Sequence, residues 1–290
     1  MPLPSAPPPA AAGLFQPPLY RTPAAGRPLP VGLRLLPGVT LRFYAGMLHC
    51  VLCARRQAAA GRFTNEALAA VSEQVARYVE GCGGRLEVAG LEQLQATPGA
   101  AVFIGNHMSS LETFLIPGIV TRVKPLAFVV KDKLLTHPLF GAVMRALPAI
   151  PVTRSNPRQD LQTVLEQGAE LLRRGLSLCI FPQATRSVAF VPESFNTLGV
   201  KLARRAGVPV IPVALRTDFW GNGRGPFKDV GPIRAAAPIR FALGAPLPPD
   251  LPQGELQQRV VGFITGHLRE WGVPIAASAA AAPPPEPRQR

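Results

Sequence analysis

The sequence predicts an α/β layered domain: a largely parallel or mixed sheet flanked by helices, preceded by an N-terminal helical segment. Three observations carry this. Short apolar runs such as "AVFIG", "LAFVV", "LSLCIF" and "VPVIPVAL" alternate with longer stretches of helical periodicity, the order expected of strands covered by helices. Gly, Pro and Asn punctuate the junctions between them. Polar residues concentrate just after three of the apolar runs, where layered α/β proteins gather their chemistry.

The elements follow in chain order. "TNEALAAVSEQVARYVEG" reads as a helix with Leu68, Val71, Val75, Tyr78 and Val79 on one face and Gly81 as its stop. "RLEVAG" alternates like a strand leading in from the sheet edge, and "AVFIG" is a short buried strand. "LETFLIPGIV" is a helix bent or ended near Pro117–Gly118, because proline removes a backbone donor and crowds the preceding turn. "LAFVV" is a strand, "PLFGAVMRAL" a short helix and "AIPVT" another strand. The next helix is the best marked, with Asn156 as cap, Pro157 in its first position, periodic Leu161, Val164, Leu165, Gly168, Leu171 and Leu172, and Gly175 at its end. "LSLCIF" is a strand. "FNTLGVKLARRAG" is a helix with Phe195, Leu198, Leu202 and Ala203 inward. "VPVIPVAL", with its prolines, is placed at an edge or irregular position. "IRFALG" adds a later strand and "ELQQRVVGFITGHLREW" a closing helix.

Composition bounds what these elements can serve. Both ends are rich in Pro and Ala: ten prolines fall in residues 1–30, and the chain closes on "AASAAAAPPPEPRQR". Neither stretch has a periodic apolar face, so both read as flexible. The net charge is +14, and only five of 31 basic residues are Lys. Arginine suits bidentate contact with phosphate, so nucleic acid, an anionic membrane surface or a phosphorylated substrate would each fit; a codon bias towards Arg, Ala, Pro and Gly would produce the same excess. Of four cysteines, Cys50 and Cys53 have CxxC spacing without a second such pair and with apolar flanks, which reads as buried helix thiols in a reducing compartment more than as a zinc or redox site. No signal peptide is expected. No stretch has the roughly 18–20 apolar residues of a membrane span. "FYAGMLHCVLC", 43–53, lies between Arg42 and the Arg55–Arg56 pair, and fits either a core helix or a segment lying in a membrane interface.

The polar interruptions carry the chemistry. In "NHMSSLE", His107 sits in a strand-to-helix turn and Glu112 in the first helical turn. An imidazole can take a proton from a hydroxyl near neutral pH, and a carboxylate on its other nitrogen holds the ring and stabilises the imidazolium. A helix cap would use the same residues. Ser109 and Ser110 are nearby hydroxyls, but neither stands in a G-x-S-x-G elbow. Three cations follow three other strands: Lys131 in "KDK", Arg154 in "IPVTRSN" and Arg186 in "FPQATRS". Each alone would be a solvated or ion-paired residue. Together they suit an anionic ligand, because strand ends in one sheet can converge.

In order, "NHMSSLE", "VVKDKLLTHPLFG", "AIPVTRSN", "FPQATRS" and "VPVIPVAL" resemble the glycerolipid acyltransferases of the 1-acylglycerol-3-phosphate (lysophosphatidic acid) type, over about residues 85–245. The resemblance implies an O-acyltransferase of phospholipid biosynthesis that moves a fatty acyl group from a thioester of coenzyme A or acyl carrier protein to the free hydroxyl of a lysophospholipid, with no bound cofactor and no metal. It implies His107 as general base, Glu112 as its orienting acid, Arg186 and Lys131 as phosphate ligands with Arg154 as a helper, and Asn106 and Thr185 shaping the turns at the acceptor site. The family's Asp is Glu112 here, its Glu-Gly is Gln183–Ala184, and Lys133 replaces an acid, so the acceptor could be another lysolipid.

The expected organisation is a flexible arm at 1–30, an N-terminal helical segment for membrane docking at 31–84, the acyltransferase α/β domain at 85–272 and a flexible tail at 273–290. The expected setting is peripheral, on the cytoplasmic face of a bacterial inner membrane, with anionic lipids as partners and no nucleic acid. Two rival readings remain at this level. A basic nucleic-acid-binding protein has net charge in its favour, but little Lys, few aromatics and no recognised module. A hydrolase would pass the acyl group to water.

Overall fold

The computed structural model describes residues 13–153, 155–183, 185–223 and 230–276. Its strands are β1 (Leu19–Arg21), β2 (Leu86–Ala89), β3 (Val102–Gly105), β4 (Leu126–Lys131), β5 (Ala149–Val152), β6 (Ser177–Ile180), β7 (Val210–Arg216) and β8 (Ile239–Leu243). They form one sheet in the order β1-β2-β8-β7-β3-β6-β4-β5. From β7 to β5 all pairings are parallel, so the C-terminal ends of β7, β3, β6, β4 and β5 share one edge. The β7–β8 and β1–β2 pairings are antiparallel, which makes the sheet mixed.

Side chains alternate along β3 and choose its two covers. Phe103 faces α5 (Leu111–Val120), lining an apolar seam with Ile116, Ile119 and Val120. Ile104 faces α8 (Leu198–Ala206), where a Cβ on Gly199 would come within 2.6 Å of Ile104 Cδ1. That approach requires glycine and brings the helix close to the sheet. Behind α5 lie α2 (Val39–Ala59) and α3 (Asn65–Gly81); α7 (Pro157–Arg173) and α9 (Gln253–Glu270) complete the α8 side. The remaining helices are short: α1 (Val31–Arg34), α4 (Glu92–Ala96) and α6 (Gly141–Ala146).

Three sequence expectations change. The strand with prolines, β7, is central rather than at an edge. Pro212 pairs with Ile104 on the β3 side and uses its carbonyl to accept from Gly244 N at 2.9 Å on the other. Its missing N–H falls just past Leu243, where β8 ends, so no bond of the regular ladder is lost. α5 runs through Pro117 and ends at Val120, three residues on, within the expected stretch. The Ser72 hydroxyl enters the broken ladder, donating to Phe114 O and accepting from Gly118 N at 2.7 Å.

Residues 13–30 do not all behave as a loose arm. β1 adds an edge strand beside β2, and Tyr20 OH donates to Glu80 Oε1 at 2.6 Å. Glu80 is buried, in contact with Arg27 as well, so α3 hides acids on the face it turns to this segment. Glu73 is similarly paired with Arg122 at 2.9 Å. Nor does packing break at 84/85 or at 272: one hydrophobic core runs from Phe15 through Phe43 and Val75 to Val273. Ala276 N still donates to Phe190 O at 2.9 Å.

In α2, Phe43, Met47, Cys50, Val51 and Ala54 point inward, so the apolar 43–53 stretch is in part a core helix. Its opposite face leaves Leu41, Leu48 and Leu52 at 48%, 49% and 37% exposure, beside Val31 and Leu35 of the α1 turn at 71% and 81%. Cys50 is buried, and burial pushes its thiol up to about 12.

Candidate active site

The site forms at the shared C-terminal edge of β3 and its neighbours. Asn106 continues β3 by other means: its Oδ1 accepts from Leu215 N at 2.9 Å and its Nδ2 donates to Leu215 O at 2.8 Å. This amide replaces a rung of the β3–β7 ladder and frees the backbone to turn. It is 2% exposed and both polar ends are spent on β7, so Asn106 builds the turn and is removed from the expected set of substrate ligands.

The turn folds around Glu112. Met108 N and Ser109 N donate to Glu112 Oε1 at 2.7 and 2.8 Å, and His107 Nδ1 lies 2.9 Å from the same oxygen. Oε2 accepts from Thr217 Oγ1 at 2.6 Å and from Ser109 Oγ at 2.9 Å. Glu112 is fully buried in the first turn of α5, where the helix dipole favours negative charge. Burial alone would push its carboxyl up. The His107 contact, the Thr217 hydroxyl and the Ser109 amide outweigh that and hold it below its ordinary value of 4.5. The carboxylate is therefore charged at neutral pH, and as an acceptor it fixes the proton of His107 on Nδ1.

The His107 ring stacks on Phe181, centroids 4.6 Å apart and planes 12° from parallel. It retains 18% exposure. With Nδ1 turned to Glu112, the opposite nitrogen, Nε2, is the one available to a ligand. His107 N donates to Gln183 Oε1 at 2.7 Å, and Ser187 N donates to His107 O at 2.9 Å. The segment after β6 is thus bonded to the histidine turn at both ends. Gln183 serves here as an acceptor, a role for which its amide oxygen suffices.

Between those two bonds lie Thr185, which is exposed, and Arg186, which is partly buried and donates through Nη1 to Ser110 Oγ. The structure therefore brings Arg186 beside His107 and Glu112, because β6 is the immediate neighbour of β3. Lys131 ends β4, the next strand over, and by register it lies level with the residues just past β6. Two strand spacings put its backbone about 10 Å from that of β3. Arg154 follows β5, one strand further, and lies outside the described residues, as does Ala184. Ser109 Oγ is committed to Glu112 and Thr217 and is no nucleophile.

Sequence reasoning missed two contributors. Thr217, the first residue past β7, reaches Glu112 from 105 positions away. Asn222 Nδ2 donates to Met108 O at 2.9 Å, while Trp220 Nε1 donates to Tyr44 OH at 2.9 Å. The loop after β7 thus ties α2 to the histidine turn. Among the described residues, no group of three or more His, Cys, Asp or Glu side chains is arranged to hold a metal ion, and no helix is long and apolar enough to cross a membrane.

An acyltransferase family model matches residues 85–216, from just before β2 to the end of β7. The chain is 38% identical over 191 residues to a 1-acyl-sn-glycerol-3-phosphate acyltransferase of Pseudomonas aeruginosa, covering 65% of this chain and 70% of that one. It is 30% identical over 131 residues to a chloroplast 1-acyl-sn-glycerol-3-phosphate acyltransferase of Arabidopsis thaliana, covering 45% of this chain and 36% of that one. A probable enzyme of the same name from Mycoplasma pneumoniae is 31% identical over 119 residues, 40% of this chain and 44% of its own. Among solved structures, the 1-acyl-sn-glycerophosphate acyltransferase of Thermotoga maritima superposes with a TM-score of 0.61 at 20% identity, covering 82% of this chain and 96% of that one. That likeness concerns the fold.

Proposed function

Since this chain belongs to the 1-acyl-sn-glycerol-3-phosphate acyltransferase family, we propose that it transfers a fatty acyl group from a thioester to the free 2-hydroxyl of 1-acylglycerol-3-phosphate, with His107 as general base. The observation that carries this is the Nδ1 contact to a buried, charged Glu112 at 2.9 Å on a partly exposed ring, which in the neutral imidazole makes Nε2 the proton acceptor. Nε2 takes the hydroxyl proton as the oxygen attacks the thioester carbonyl. The tetrahedral intermediate then expels the thiolate, breaking the C–S bond, and the proton on Nε2 passes to the leaving sulfur. Glu112 offsets the positive charge that His107 carries between these steps. Coenzyme A and acyl carrier protein both present the required thioester.

Arg186 is the phosphate ligand nearest the base, and Lys131 adds charge from the next strand. The Arg186→Ala protein is expected to raise the KM for 1-acylglycerol-3-phosphate by about 10–100-fold, the value of a lost charged hydrogen bond. Its use of an acceptor without phosphate, such as a monoacylglycerol, should change little. Equal losses on both acceptors would remove Arg186 from the phosphate site.

The acceptor's acyl chain lies in a bilayer, and α2 supplies the docking surface. Leu41, Leu48 and Leu52 share one face of the helix, with Arg55 and Arg56 at its far end. Apolar insertion flanked by arginines suits an anionic membrane surface, here the cytoplasmic face of the inner membrane. Replacing the three leucines by serine is expected to reduce binding to vesicles containing phosphatidylglycerol by at least about tenfold, since each buried CH₂ contributes about 0.8 kcal/mol. Sedimentation with vesicles measures this; unchanged binding would assign docking to another face.

A further inference from the structure

We infer that Thr217 is a positioning residue for the reaction: its hydroxyl fixes the Glu112 carboxylate so that Oε1 remains aimed at His107 Nδ1. The inference rests on the reading of His107 as the base. Thr217 is wholly buried, and its Oγ1 donates to Glu112 Oε2 at 2.6 Å, the shortest of the contacts to that carboxylate. The other donors, Met108 N, Ser109 N and Ser109 Oγ, belong to the same short turn as His107. They move with the histidine and cannot hold the acid against it. Thr217 directly follows β7, the strand paired beside β3, and its own N–H donates to Met108 Sδ at 3.3 Å. It is the fixed wall on which the carboxylate leans.

The need for such a wall follows from the residue type. Glutamate has one more rotatable bond than aspartate, and that freedom would spread the carboxylate over several orientations. The same added methylene lets one carboxylate span from His107 to Thr217, each oxygen serving one side. An aspartate at 112 would be about 1.5 Å shorter, one C–C bond, and would surrender one of the two contacts. The Thr217 hydroxyl and the length of residue 112 are therefore coupled.

The test is a double-mutant cycle in acyl transfer from a long-chain acyl-coenzyme A to 1-acylglycerol-3-phosphate in vesicles. Thr217→Val is expected to lower kcat about tenfold, or about 1.4 kcal/mol, with the acceptor KM within about twofold of wild type, because the hydroxyl touches no substrate. Thr217→Ser, which keeps the hydroxyl, should stay within about threefold of wild type in kcat. In a Glu112→Asp background, adding Thr217→Val should cost less than about threefold, the shortfall measuring the coupling. A normal kcat in Thr217→Val, an equally slow Thr217→Ser, or the full tenfold cost in the aspartate background would each overturn the inference. Should Thr217→Val fail to fold, Thr217→Ala replaces it, and failure of both assigns the residue to the fold alone. His107→Ala run alongside separates the two readings. An active His107→Ala protein sinks the base assignment, whereas an inactive one beside a normal Thr217→Val sinks only the positioning role.

Discussion

The His107→Ala protein is expected to lose acyl transfer by about 10²–10⁴-fold, the range over which a positioned general base acts, while remaining folded. Both halves of that expectation come from the surroundings of the ring. Its chemistry is concentrated in Nε2, since Nδ1 is occupied by Glu112, and no second histidine lies in the turn to replace it. Water could enter the space the ring vacates, but it would lack both the fixed orientation and the carboxylate behind it. The fold depends less on the ring. His107 holds the turn through its main chain, with its N–H bonded to Gln183 and its carbonyl to Ser187, and alanine keeps both bonds. What is lost is the stacking on Phe181, worth about 1 kcal/mol, and one donor to Glu112. A melting temperature within a few degrees of wild type, together with single-turnover transfer near background, is the expected pair of measurements. Undiminished transfer would show that the proton goes elsewhere.

That pair of residues could be read from the sequence because a polar septet interrupts two apolar runs, and burial of apolar neighbours on both sides leaves such residues little room except at a strand-to-helix turn. The helix after Asn156 was legible for a similar reason: a cap, a first-turn proline and a periodic face all agree, and the Asn156 side chain does accept from Gln159 N at 3.2 Å. That Arg186 would stand near His107 was expected from converging strand ends, but the arrangement that puts it there was not legible. It depends on β6 inserting between β3 and β4, which is a matter of strand order, and local pattern contains no information on order in a parallel sheet. The prolines of β7 misdirected the assignment because a proline's cost depends on which way its nitrogen faces, and that too is decided by neighbours. Pro117 is accommodated in α5 with Ser72, from a different helix, bridging Phe114 O and Gly118 N in the disturbed turn. Tyr20 and Thr217 belong to the same class. Each is a lone hydroxyl that acquires meaning from a buried glutamate many residues away.

Replacing Glu112 should expose how much of the site is electrostatic and how much is scaffolding, because the two conservative losses separate. In Glu112→Gln the amide oxygen can still accept from Met108 N, Ser109 N and His107 Nδ1, while the amide nitrogen faces the Thr217 and Ser109 hydroxyls, which can rotate to accept. The packing and the histidine tautomer survive, but the negative charge that stabilises the imidazolium does not. The expected result is a loss of about 10²–10³-fold in kcat, within what charge stabilisation at a buried site supplies, with a small change in stability. Glu112→Ala is different. It leaves two backbone N–H groups and the Thr217 hydroxyl buried without their acceptor, at about 1–3 kcal/mol for each unpaired group. Losses of that size would take a large share of a typical stability of about 5–15 kcal/mol. The pH dependence distinguishes the charge from the shape once more. The carboxyl is held below 4.5 in the folded chain, so the unfolded chain binds the proton first as pH falls. Glu112 therefore contributes stability that is fully present above that value and is lost progressively as pH drops through the folded value. Glu112→Gln cannot titrate there. The stability gap between wild type and Glu112→Gln, measured by denaturant unfolding at neutral pH and again near pH 4, should narrow at the lower pH. A gap that widens on acidification would mean that the buried acid is already protonated in the native protein, and a neutral acid could not support the histidine in the way proposed.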